Sequence, residues 1–168
     1  MKTMQRAMYW TTAVAASAAV LGGAALATPG SGVSSSVKAN AWFGDPTDIK
    51  FKIDVSGQEL IHVPNAQQTY IQEIVIGPGG HTGWHSHPGP VLVIVKSGAL
   101  TFYSGDDPGC TPRMYPAGQA FIDHGQGHVH IARNLSTADN LELWAVYFDV
   151  PADGVFRLDA PDPGNCVF

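Results

Sequence analysis

Residues 79–95 read Gly79-Gly80-His81-Thr82-Gly83-Trp84-His85-Ser86-His87-Pro88-Gly89-Pro90-Val91-Leu92-Val93-Ile94-Val95. The stretch opens on a glycine turn, carries histidines at alternate positions and ends in an unbroken apolar run. The run Val91–Val95 is long enough only for a buried strand. Alternate side chains of a strand share a face, so His85 and His87 turn two imidazoles to one side.

Further strand signals lie on both sides. Upstream, Ile49–Val55 alternates apolar and polar residues, Gln58–Val63 is a shorter candidate, and Thr69–Ile76 closes on Gly77-Pro78-Gly79-Gly80. Downstream, Ala99–Tyr103 is expected to pair with Val91–Val95 across Lys96-Ser97-Gly98. Then come Arg113–Tyr115, Gln119–Asp123, Val129–Arg133 and Leu141–Val150. The tail from Pro151 reads as mostly irregular, and no amphipathic helix is evident after residue 27. Strands roughly every ten residues, punctuated by Gly and Pro, predict a sandwich or barrel.

Composition agrees. The chain has 168 residues, which suits one domain, and 45% of them are hydrophobic, enough for a core. Its 19 glycines and 12 prolines fit many short strands better than a helical bundle. Net charge is −5 and Lys and Arg do not cluster, so there is no basic stripe for nucleic acid. A nucleophile elbow, a phosphate-cradling glycine loop and a zinc-protease helix motif are all missing from the sequence.

Six of the seven histidines fall into two groups: His81, His85 and His87, then His124, His128 and His130. Each group contains a His-x-His pair. Two imidazoles from one strand and one from a facing strand make a good partial donor set for a divalent metal.

At this point the sequence resembles the cupin superfamily. Its first motif runs Gly, His-x-His, a Glu three or four residues on, and a closing Gly; here Gly79, His85, His87 and Gly98 match. Its second motif ends His-x-x-x-Asn, as His130 to Asn134 do. The resemblance covers residues 70–148. It implies an all-β fold, a double-stranded β-helix or jelly-roll-like barrel, with one divalent transition ion (Fe, Mn, Cu, Ni or Zn) in its mouth. The implied ligands are His85, His87 and His130. Counting from Gly125 puts His128 in the third place instead, and both residues share strand parity.

The motif glutamate would fall at Val91 or Leu92, and both are apolar. Three neutral imidazoles would leave the ion its full charge and open positions. That points to a metal-dependent oxidoreductase, dioxygenase-like, acting on a small organic substrate. The alternative is a non-catalytic secreted module that binds a small ligand or a metal. Tyr103, Tyr147 and His128 are the candidate substrate-binding groups. Asp123 and His124 are expected to pair at the barrel rim. Cupins often dimerise through sheet edges, so the resemblance implies a homodimer.

Residues 1–27 read as a secretory signal peptide. Lys2 and Arg6 precede an apolar stretch, Tyr9–Leu26, that ends in Ala25-Leu26-Ala27. An uncleaved anchor is the competing reading, though the stretch is rich in Ala and Gly. Cleavage would leave a secreted or extracytoplasmic protein with no stable membrane insertion. Residues 28–40 are Gly- and Ser-rich and read as a flexible linker, leaving 41–168 as the folded domain. Cys110 and Cys166 are the only cysteines; export permits a disulfide between them, and two free thiols are the other reading.

Overall fold

The computed structural model describes residues 27–54 and 58–168. The expected signal peptide therefore lies almost wholly outside the described residues. Among those described there is no helix, and so none long and apolar enough to cross a membrane.

Twelve strands are present: β1 (Ser31–Trp42), β2 (Ile49–Asp54), β3 (Gln58–Val63), β4 (Gln68–His81), β5 (His85–Ser86), β6 (Val91–Ser97), β7 (Ala99–Ser104), β8 (Arg113–Pro116), β9 (Ala120–Asp123), β10 (His130–Arg133), β11 (Leu141–Val150) and β12 (Leu158–Asp159). Ten of them form one antiparallel sheet in the order β12-β5-β10-β4-β11-β6-β9, with β1 on β4 and the β7-β8 pair on β10. It curls into a nearly closed barrel. The pair β2-β3 stands apart as a hairpin.

The barrel core follows from strand parity. Along β11, Leu141, Leu143, Ala145 and Tyr147 are buried at every second position. They meet Ile76 of β4, Val91 and Val95 of β6, Leu100 of β7 and Ala132 of β10 in two adjoining clusters. A third cluster lies on the outside of β7 and β10. There Trp84, Tyr103 and Ile131 are covered by Ala160 and Cys166 of the tail.

The structure corrects several expectations. Of the expected linker 28–40, residues 31–40 belong instead to the strand β1, which pairs along β4 from Ser31↔His81 to Trp42↔Gln68. Its small polar residues carry no hydrophobic period, and all twelve are exposed, so backbone hydrogen bonds rather than burial order them. The expected β6-β7 hairpin does not form. Gly98, at φ +77°, sends β7 to the other side of the barrel, and β6 pairs with β9 and β11 instead. Nor does β4 stop at Gly77; it runs on to His81. Gly80 lets β1 come close, since a Cβ there would sit 2.8 Å from the Ser31 oxygen.

The tail is irregular but anchored. Ala160 bonds through its amide to Trp84 O and through its carbonyl to the Thr28 amide. Cys110 and Cys166 form a disulfide across 56 positions of sequence.

Candidate metal centre

His85 on β5 and His130 on β10 are direct cross-strand partners, and His87 follows in the loop after β5. All three are buried. Each offers a nitrogen, and the three nitrogens lie within 4.8 Å of one another. The Nδ1 atoms face backbone carbonyls: His85 to Gly83 O at 2.9 Å, His87 to Phe156 O at 2.7 Å and His130 to His128 O at 3.3 Å. A carbonyl only accepts, so each Nδ1 carries the proton and each Nε2 keeps a lone pair. Burial, with repulsion from neighbouring rings and Arg157, holds the pKa of His85 well below the usual value. Burial likewise brings His87 and His130 down to about 4. Near neutral pH all three rings are therefore uncharged, as metal ligation requires. The donor set fits one divalent transition ion.

The cluster lies between two spaces. On the inner side is a chamber of about 40 Å³ lined by Val91, Val93, Phe102, Phe121, Leu143 and Ala145. On the outer side is an open cleft of about 310 Å³, bordered by Gln72, Tyr147, Phe156 and Arg157. Ser35 of β1 lies in its wall and accepts a hydrogen bond from Gln72 Nε2 at 3.0 Å. The segment expected as a linker thus helps to shape the cleft.

Of the candidate ligand-binding residues, Tyr147 alone reaches the site. Its ring lies 5.2 Å from that of His87, and its hydroxyl donates to Gln72 Oε1 at 2.7 Å. Burial pushes its pKa above the ordinary tyrosine value. Tyr103 points the other way. It packs beside Trp84 and Phe168 under the tail, because odd positions of β7 face outward. His128 is also away from the cluster. It precedes β10, in a turn where Gln126 and Gly127 take positive φ, so strand parity does not extend back to it. Its ring stacks on His124 and faces Asp106. Counting the second motif from Gly127 instead of Gly125 would have resolved the choice for His130.

Asp123 and His124 do not pair. His124 meets Glu59, whereas Asp123 is buried beside the histidines. Gln72 and Arg157 are the site's neighbours that sequence reasoning missed, and Asp123 was placed at the rim but with the wrong partner. Gln72 and Asp123 sit on strands that read as ordinary core, and Arg157 lies in the irregular tail.

A barrel of antiparallel strands with His-x-His on one strand and a third histidine on its partner is the architecture the motifs implied. The fold is a double-stranded β-helix barrel. The chain matches no family model and no curated protein. Solved structures similar to it include an oxalate oxidase, 18% identical, with TM-score 0.45, covering 55% of this chain and 46% of that one. A cupin-like protein from Thermotoga maritima is 21% identical with TM-score 0.46, over 56% of this chain and 65% of that one. A protein from Klebsiella pneumoniae with a double-stranded β-helix domain is 23% identical with TM-score 0.44, over 54% and 70%. This chain thus spans less than two thirds of the first two of these chains.

Proposed function

We propose that this cupin barrel is a metal-dependent oxidoreductase of the dioxygenase type, acting on a small organic anion. In this reading His85, His87 and His130 hold one divalent transition ion. The observation that carries it is the histidine cluster's position between an apolar chamber and a polar cleft. The chamber has room for one or two molecules the size of water or O₂. Away from the histidines and Asp123 its lining is mainly apolar, which favours the uncharged gas.

When bound, the ion would supply Lewis acidity and open positions for an oxygen ligand. The side chains of the cleft supply binding and orientation. Arg157 is held by Thr82 O at 2.8 Å and by Asp159, and its guanidinium faces the cleft as an anchor for a carboxylate. The Tyr147 hydroxyl gives its proton to Gln72, so its lone pairs remain to accept from a substrate hydroxyl. Imidazole donors accept Fe, Mn, Cu, Ni and Zn, so the donor set is compatible with each. The disulfide supports an oxidising, extracytoplasmic location.

Elemental analysis of the protein purified without chelator, followed by oxygen-electrode assays with small hydroxy acids and phenolic acids, tests this. About one ion per chain and O₂ uptake lost in His85→Ala, with the fold kept, are expected. Retained metal with no turnover would replace the reading with a binding module. An absence of retained or added metal would overturn it.

A further inference from the structure

We infer that Asp123 is a fourth metal ligand, an anionic donor carried on β9 beside the three imidazoles. The inference rests on the metal-binding reading above and deepens it.

Asp123 ends β9 and pairs directly with Val91 of β6. Cross-strand partners share a face of the sheet, and both side chains line the inner chamber beside the histidines. The carboxyl is buried, with only 4% of the residue exposed. Its Oδ1 lies 3.5 Å from His130 Nδ1, and its Oδ2 lies 3.7 Å from His87 Nε2. That second nitrogen is the one left free once His87 Nδ1 has donated to Phe156.

Two donor atoms each about 2.1 Å from a shared ion stand roughly 3–4 Å apart. The Oδ2–Nε2 separation falls in that range for His87; Asp123 lies just outside the 4.8 Å cluster of the three nitrogens, so ligation turns its side chain toward the ion.

The carboxyl is only partly satisfied: the Gly125 amide faces it, but its second oxygen is left over. Oδ2 is buried without any hydrogen bond. Among the described residues its ion-pair contacts are with His87 and His130 alone, and neutral rings do not balance a carboxylate. A buried carboxylate oxygen with neither hydrogen bond nor cation is costly, and buried charges are ordinarily paired or on a metal. A divalent ion at the three nitrogens would satisfy it. The carboxylate that the first motif would place at Val91 or Leu92 is thereby supplied from the adjacent strand. The ion's net charge falls by one, and the inner side of the site gains the anionic donor.

The test is Co(II) binding to the full chain, read by calorimetry and by the visible Co(II) spectrum, for wild type, Asp123→Asn and His85→Ala. Asp123→Asn should bind about 100-fold more weakly or worse and show a changed spectrum, since a carboxylate leaves the donor set. It should also gain less melting temperature on Co(II) addition than wild type. The chelated variant should melt no lower than chelated wild type, which separates loss of a ligand from loss of fold. An unchanged spectrum in Asp123→Asn would overturn the inference, even with weaker binding, because a carboxylate that only positions His130 leaves the donor set intact. Should wild type itself fail to bind Co(II), the metal reading falls first and this inference with it.

Discussion

Tyr147 donates its hydroxyl proton to Gln72 inside a wall that also holds Val91, Ala145 and Val150. Tyr147→Phe keeps the ring and strands the Gln72 oxygen, so it should destabilise by about 1 kcal/mol. It should also weaken substrate binding while leaving metal content unchanged. Chemical denaturation with metal analysis checks both; a loss of metal would mean that the hydroxyl, not the ring packing, supports His87. Arg157→Gln should raise KM for a carboxylate substrate about tenfold and leave an uncharged analogue unaffected, measured by steady-state kinetics. The clustered histidines were legible because spacing of two points His85 and His87 to one side, while the His130 to Asn134 ending supplied the third. Tyr103 was misread because odd positions of β7 face outward, and His128 because a turn interrupts the spacing. Gln72 and Arg157 gave no local signal, since only strand pairing and the anchored tail bring them to the cleft.

Among the elements, β1 and β4 show what patterning can and cannot reveal. Strands β2, β3, β6, β7, β10 and β11 announce themselves by alternation or by apolar runs, and their bounds match the reading closely. The sequence of β1 is small, polar and exposed throughout. Its order comes from pairing with an already buried β4, a non-local cause that no window of sequence contains. The pairing depends on close approach at Gly80, where a Cβ would meet the Ser31 oxygen at 2.8 Å and Ile76 Cγ2 at 2.9 Å. Gly80→Ala should therefore cost about 1–3 kcal/mol. It should also raise amide exchange selectively in residues 31–42, because β1 is the element that must yield. Exchange rising equally across β11 would point to core damage instead.

For the whole molecule, the barrel is clamped by the tail and tuned by its buried imidazoles. The Cys110–Cys166 disulfide closes a loop of 56 positions, so reducing it should cost about 4 kcal/mol in the chain-entropy view, seen as a lower melting temperature in dithiothreitol. The stability of the chelated protein should also depend on pH. In the unfolded chain the histidines take up protons as pH falls through 6.5, while in the barrel His87 and His130 wait until about 4 and burial holds His85 well below its usual value too. Between those values the unfolded chain binds more protons, so acidification favours unfolding. The contribution is fully present above 6.5 and is lost as pH falls toward 4. Asp123 acts in the opposite direction: burial raises its pKa, so the penalty on its charged form eases as pH falls. One carboxyl against three rings does not reverse the sign. Moving a single ring from 6.5 to about 4 corresponds to roughly 3 kcal/mol, so the chelated protein should melt about 10 °C lower or more at pH 4.5 than at pH 7. Bound Co(II) should flatten this slope above pH 5, because the ion occupies the lone pairs that protons would take. A chelated protein whose melting temperature does not change between pH 7 and 4.5 would show that the rings are not neutral in the fold, and the donor set described here would have to be redrawn.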